Sequence, residues 1–175
     1  MKREPYKEMN CSVAASLHVI GEPWTFLVIR DAFLQVRRFE EFQKNLGIAR
    51  NILTMRLKRL VDAGTLRRVP YQTRPTRYEY RLTEKGAALF PIIVSLKEWG
   101  DRWGHAALNG APLELRNRKS SQVVAPALID RNSNQTIDLS SVRAVAGPGA
   151  DQRTRDFFAW IDAERTATRR QPRRL

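Results

Sequence analysis

Cysteine is nearly absent: Cys11 stands alone in 175 residues. No disulfide can form within one chain, and no cluster of thiolates is available to hold a metal. Histidine is almost as scarce, and neither His18 nor His105 has another donor at ligand spacing. No uninterrupted apolar run approaches the about 18 residues of a membrane span. The N-terminal MKREPYKEMN lacks the apolar stretch of a secretory signal. These gaps lead to the expectation of a soluble, cytoplasmic protein with no metal, no other cofactor and no membrane partner. No Ser/His/Asp order, phosphate-cradling glycine loop or carboxylate pair stands out, so the chain offers no catalytic residue and reads as a non-enzyme. Acidic residues are also few. Eighteen Asp and Glu face 31 Lys and Arg, for a net charge of +13 and a pI near 10.8. Such a surplus favours a polyanion partner, although solubility alone is the plainer explanation.

What the chain does have is a dense signal between Arg37 and Leu82. Phe39 to Asn45 reads as a short helix, with Phe39, Phe42 and Leu46 spaced to pack on a central helix. A turn containing Gly47 spans Asn45 to Ile48. A second helix is expected over Ala49 to Ala63, where Ile52, Leu53, Leu57, Leu60 and Val61 recur at three- and four-residue steps. Arg50, Asn51, Thr54 and Lys58 fall on its other side. Gly64 sits where a left-handed cap would end the helix. Two β-like runs come next, Thr65 to Tyr71 and Tyr78 to Leu82, linked by Gln72 to Arg77 with Pro75 at a loop tip. Helix, turn, helix and hairpin make a winged helix-turn-helix, so the fold class is mainly α with a small β-hairpin.

In that fold the second helix enters a DNA major groove. Arg pairs with guanine and Asn with adenine, each bidentate contact contributing roughly 1–3 kcal/mol of discrimination. The expected DNA-contacting set is Arg50, Asn51, Thr54, Arg56, Lys58, Arg74, Thr76 and Arg77. Arg56 lies near the edge of the packed face, which suits a phosphate contact or an internal ion pair better than base reading. The arginines of the hairpin tip suit phosphates or a narrow minor groove; a solvated basic loop is the alternative.

The flanking chain completes the domain. Cys11 to Ile20 reads as a helix capped by Asn10 or Ser12, with Val13, Leu17 and Ile20 in one stripe. Trp24 to Leu34 is apolar nearly all round and belongs at the domain's centre. Its Arg30 and Asp31 mark either an internal ion pair or the helix rim. From Thr83, a good N-cap, a long helix is expected to about Leu108, interrupted at Pro91. Its stripe of Leu89, Ile92, Ile93, Leu96, Trp99 and Trp103 exceeds what a small domain needs. With the first helix it suggests a two-fold dimer seam, the alternative being an ordinary core helix. Trp24, Trp99 and Trp103 are candidates for a ligand pocket, for packed core or for the core of the dimer. Residues 1–108 thus read as the DNA-binding and dimerisation domain. Residues 109–175 read as an extension: a linker, a polar β-leaning segment to Val145, a short helix from Asp151 to Ala167, and a basic tail of Arg165, Arg169, Arg170, Arg173 and Arg174. No internal repeat stands out.

Cys11 to Gly100 resembles the HxlR family of bacterial winged-helix transcription regulators, which share a MarR-like architecture. The matching stretches are CSVAASLHVIGEPWTFLVIRDAFLQVRRFEEFQKNL, ILTMRLKRLVDAGTLRR, YEYRLTEKGAAL and EWG. The resemblance implies a homodimer built from the first and last helices of the domain, binding a double-stranded operator through the recognition helix and wing; the expected action is repression, with activation the alternative. An unknown small effector, an electrophile or an oxidant would relieve it. Some family members sense quinones, aldehydes or hypochlorite at a cysteine matching Cys11. A thiol at a helix N-terminus is activated, whereas a buried one is inert, and both readings stand. The family commonly opens the recognition helix with Ser-Pro; Ala49-Arg50 here removes the N-cap hydroxyl. The extension resembles a small zinc ribbon of some relatives, with Ser120, Asp130 and Ser133 where ligands would be. Lacking thiolates, it reads as a metal-free remnant. The competing function is a winged-helix interaction module that binds acidic proteins or membrane; an enzyme using the extension is a third.

Overall fold

The computed structural model describes residues 8–104 and 110–170, with side chains to residue 166. Two compact units emerge: residues 16–127, and the described residues before 16 together with those from 128 onward. The elements are α1 (Ser12–Ile20), α2 (Pro23–Phe33), α3 (Phe39–Leu46), α4 (Arg50–Asp62), β1 (Leu66–Thr73), β2 (Thr76–Leu82), α5 (Glu84–Ala87), α6 (Phe90–Trp103) and α7 (Gln152–Arg170). The fold is a winged helix-turn-helix, mostly helical with one two-stranded antiparallel sheet. Among the described residues no single helix is long and apolar enough to cross a membrane.

α2 forms the middle of the larger unit. Pro23 opens it, since its missing N–H falls where a helix has no use for one. Val28 and Ile29 are fully buried and meet Phe42 of α3, Leu53, Leu57 and Leu60 of α4, and Leu66 of β1. Each such side chain stabilises the fold by about 1.5–3 kcal/mol. Asp31, also fully buried, resolves the charge question in favour of an internal pair. Its Oδ1 accepts from Arg30 Nε and Nη2 at 2.9 and 2.7 Å. Its Oδ2 accepts from Asn45 Nδ2 at 2.7 Å.

α4 ends in a closed cap. Gly64 takes φ +68°, a region costly for any residue with a Cβ. Thr65 N–H reaches Leu60 O, and Gly64 N–H reaches Val61 O, both at 2.9 Å. This pair of bonds is a Schellman motif. Ala49, at the other end, makes no side-chain cap.

The hairpin is longer than expected. Gln72–Thr73 and Thr76–Arg77 join the strands, leaving Arg74-Pro75 as the tip. A bulge between Pro70 and Gln72 absorbs the proline, which cannot donate to a ladder. Arg38 adds an isolated bridge to Glu79, with Tyr80 N–H donating to Arg37 O at 2.8 Å. The hairpin is thereby tied to the start of α3.

The long helix after the wing is divided. Thr83 caps α5, its Oγ1 accepting from Gly86 N–H at 3.1 Å. The helix stops at Ala87 and restarts at Phe90, with Pro91 in the new first turn. A continuous helix would drive the Pro91 ring into the Ala87 carbonyl. α6 ends at Trp103, with Gly104 extended at its C-cap, short of the expected end near Leu108; residues 1–7, His105, Arg173 and Arg174 lie outside the described residues.

Two further corrections concern the extension. Asn10 does not cap α1. Its Oδ1 accepts from Asp151 N–H and Thr154 Oγ1 at the start of α7. An internal repeat does exist. Residues 115–124 and 128–137 match position for position, LRNRKSSQVV against LIDRNSNQTI. Each forms a tight hairpin closed by the same bonds: Val124 N–H to Leu115 O and Asn117 N–H to Gln122 O, then Ile137 N–H to Leu128 O and Asp130 N–H to Gln135 O. In both, one side-chain oxygen gathers the turn. Asn117 Oδ1 accepts from Lys119 and Ser120 N–H, and Asp130 Oδ1 from Asn132 and Ser133 N–H. Ser121 and Asn134 carry the matching positive φ angles of 58° and 55°. Four of the ten positions are identical, Leu115 with Leu128, Arg118 with Arg131, Ser120 with Ser133 and Gln122 with Gln135, and the rest of the likeness lies in hydrogen-bond geometry.

Candidate nucleic-acid interface

The two sides of α4 have opposite fates. Leu53, Leu57 and Leu60 are fully buried. Arg50, Asn51, Thr54, Met55 and Lys58 are exposed on the other flank. The guanidinium of Arg50 lies over the Phe39 ring, 4.8 Å from its centroid, a cation–π contact that steadies a long side chain. Thr54 Oγ1 donates back to Arg50 O at 2.8 Å. Lys58 pairs with Asp62 at 2.5 Å. Both groups are well exposed, so that bond is readily exchanged.

Arg56 departs from the expected contact set. It ion-pairs with Glu22 at 2.8 Å, and its side chain is only 13% exposed. The helical turn aims it across the α4–α2 seam. It holds the recognition helix against the residue that precedes Pro23, which is the internal-pair alternative. Arg59 likewise donates to His18 O rather than facing outward.

Beside α4 the hairpin carries its arginines into solvent. Arg74, Thr76 and Arg77 are all exposed. Gln72 Nε2 donates to Arg74 O at 3.0 Å, and Thr76 Oγ1 to Thr73 O at 3.1 Å, which rigidifies the tip. Arg67 and Arg68 also face outward, Arg68 over the Tyr78 ring at 3.9 Å. Arg38 sits over Tyr71 at 4.4 Å. These three, and Met55, were not singled out by sequence. An outward charge on a strand has the same pattern whether it contacts a partner or only water. Glu41 Oε2 accepts from Arg38 and Arg37 N–H at the start of α3. These backbone bonds hold its carboxyl below the usual range.

Cys11 is exposed, not buried. Its carbonyl accepts from Ala15 N–H at 3.0 Å, so it occupies the N-cap position just before α1. The tryptophans are not core. Trp24, Trp99 and Trp103 are 37%, 63% and 65% exposed in the single chain, along with Ile92 and Leu96 of α6. They do not line the cavity either. A cavity of about 210 Å³ opens between α2 and α6 beneath Leu113 and Leu115, and no tryptophan borders it. The pocket expectation is corrected accordingly. Of the ribbon positions, Asn117 and Ser120 fall in the larger unit, and Asp130 and Ser133 in the smaller. The donors are amide, hydroxyl and carboxylate oxygens, and the two turn-gathering oxygens already accept backbone N–H bonds. That set does not fit a tetrahedral zinc site.

The comparisons agree with this geometry. The profile of HxlR-like helix-turn-helix proteins matches residues 19–107. An uncharacterized HTH-type transcriptional regulator of Mycobacterium tuberculosis, Rv3095, is 43% identical over 138 residues, covering 79% of this chain and 87% of that protein. YdeP, a regulator of the same description from Bacillus subtilis, is 34% identical over 54% of this chain and 74% of its own. The crystal structure of PA1607, a candidate transcription factor, superposes with a TM-score of 0.73 at 38% identity, covering 81% of this chain and 99% of that one. The redox regulator HypR in its reduced form gives a TM-score of 0.51 at 32% identity, over 57% of this chain and 99% of its own. A winged helix with an exposed polar flank on its second helix, matched along that whole segment, places this chain in the HxlR-like helix-turn-helix family of DNA-binding transcriptional regulators.

Proposed function

We propose that the protein is a homodimeric repressor that binds a two-fold operator. The observation that carries this is the division of α4: Leu53, Leu57 and Leu60 lock one side into the core, while Arg50, Asn51, Thr54 and Lys58 are exposed on the other. In this reading Arg50 and Asn51 read base edges from the N-terminal end of the recognition helix. Lys58, Arg74, Thr76 and Arg77 grip phosphates, and Arg67 and Arg68 extend that track. The net charge of +13 adds long-range attraction.

The apolar residues left exposed on α6, Ile92, Leu96, Trp99 and Trp103, form the dimer seam together with Val13 and Leu17 of α1. Two copies then present two recognition helices to half-sites about one helical turn apart. The exposed thiol of Cys11 is the point at which an oxidant or electrophile relieves binding. The likeness to HypR, named a redox regulator, supports that assignment.

The test is selection of bound fragments from a bacterial genome, followed by footprinting and a salt titration. Two protected half-sites about 10 base pairs apart, with affinity falling steeply as salt rises, are expected. Equal affinity for every duplex would support the interaction-module reading instead.

A further inference from the structure

The cavity between α2 and α6 has no role in gripping DNA, and it shares only Leu96 with the proposed dimer seam. Its walls are almost wholly apolar, with Phe33 and Phe90 packed at 5.2 Å between centroids along one side. Leu113, from the strap C-terminal to α6, closes over it. Only two charged groups reach the lining, Arg30 and Lys97, and both are cations. An apolar slot with a few convergent polar groups is the usual form of a small-molecule site. A cavity of about 150 Å³ holds benzene. The present volume of about 210 Å³ leaves room for a ring and one short substituent.

Arg30 has donors to spare. Its Nε and Nη2 both serve Asp31 Oδ1, while Nη1 makes no hydrogen bond among the described residues. Lys97 bonds Asp101 and keeps two further N–H groups. The guanidinium is also one link in a chain. Asp31 is fully buried, and its other oxygen is held by Asn45 at 2.7 Å. Asn45 lies in the last turn of α3, at the entrance to the helix-turn-helix turn.

We infer that the cavity is an effector site for a small apolar anion, one ring carrying a single carboxylate or phenolate, read out through Arg30, Asp31 and Asn45. The ring fills the space between Phe33 and Phe90, and the anionic oxygen takes Arg30 and Lys97. Arg30 gives its spare Nη1 to the ligand, which draws the guanidinium toward the cavity and loosens its two bonds to Asp31. A carboxylate sealed from water depends on its remaining partners, so the bond to Asn45 must tighten or shift. That change arrives at the turn that sets the angle of α4. A ligand alters DNA affinity only by its differential affinity for the two arrangements, and such couplings are typically about 5–150-fold.

Two arms test this in the full-length protein. The first uses no DNA: titration of benzoate and its neutral analogue benzamide by calorimetry. Expected are one site per chain, at least about tenfold preference for the anion, and comparable losses in Leu34→Trp, which fills the slot. Lys97→Gln weakens the anion and leaves the amide unchanged. No saturable binding, or equal binding by Leu34→Trp with its melting transition intact, overturns the site. Dissociation of the dimer by Leu34→Trp would assign the slot to a second copy and also overturn it. The second arm rests on the repressor reading: benzoate shifts operator affinity in the wild type and not in Asn45→Ala, which still binds benzoate. Binding without any shift refutes the coupling. Failure to bind DNA at all refutes the repressor reading and leaves the first arm standing.

Discussion

Arg56 and Asn51 lie on one helix and lead to opposite predictions. Arg56 meets Glu22 at 2.8 Å, with side-chain exposures of 13% and 46%. At an effective dielectric of about 20, that separation gives about 6 kcal/mol of gross attraction. Desolvation of both groups and the half-open face of Glu22 return most of it. Exposed pairs measure about 0.2–1 kcal/mol, and breaking a fully buried one costs about 3–5. Arg56→Ala therefore falls between, at about 1–2 kcal/mol, including packing lost from its aliphatic stem. For a unit near 100 residues that is a Tm decrease of roughly 5–10 °C. Asn51→Ala touches no buried group, so its stability stays within about 0.5 kcal/mol. Its lost base contact costs about 1–3 kcal/mol of operator affinity, or about 5–150-fold. Thermal melts and mobility shifts on both variants, scored per folded molecule, give the comparison. If Arg56→Ala weakened binding as Asn51→Ala does while melting like the wild type, the assignment of Arg56 to the interior would be refuted.

Single contacts set the other expectations. A Cβ on Gly86 would lie 2.2 Å from Thr65 O, a backbone atom that cannot swing aside, so Gly86→Ala should lose about 1–3 kcal/mol in a urea melt. A neutral result would contradict the packing of α5 on the β1 start. Arg74→Ala should reduce the slope of log affinity against log salt by about one, evenly across sequences; an altered sequence preference would move Arg74 to base reading. Backbone bonds from Ser133 and Asn132 lower the Asp130 carboxyl below its ordinary 3.8. Because the folded value is the lower one, this stabilisation is present above about pH 4 and is lost as pH falls through the depressed value. Amide exchange at Asn132 and Ser133 should rise in that acidic window and not in Asp130→Asn. Cys11→Ser should bind operator normally and resist release by diamide; unchanged release would remove the thiol from the signal path.

The elements with strong periodicity were legible without coordinates. Leu53, Leu57 and Leu60 define α4, Gly64 ends it, and Thr83 caps the helix beyond the wing. The opposing flank of Arg50, Asn51, Thr54 and Lys58 came from the same period. What sequence could not reveal were contacts between distant positions. Nothing local distinguishes Arg56, bound to Glu22, from Lys58, open to solvent. Asn10 has the residue type of a helix cap, yet it serves Asp151 and Thr154. Pro91 announced a break, but whether the helix bends or restarts depends on the Ala87 carbonyl. The twin hairpins are faint in the sequence because six of their ten positions differ, and the side-chain amide of Asn117 and carboxylate of Asp130 perform one geometric task from different letters. The tryptophans misled for a different reason: helical spacing gives an apolar face without saying whether that face meets the chain's own core or a partner.

The most direct measurement places a cleaving agent on the free flank of α4. In a Cys11→Ser background, Met55→Cys supplies one exposed thiol, since Met55 is 50% exposed and the chain has no other cysteine. An iron chelate attached there should cut operator DNA at two symmetric clusters centred in the major groove of each half-site. Diffuse cutting, or a sharper pattern from the same chelate placed on α6 at Trp99→Cys, would contradict the account.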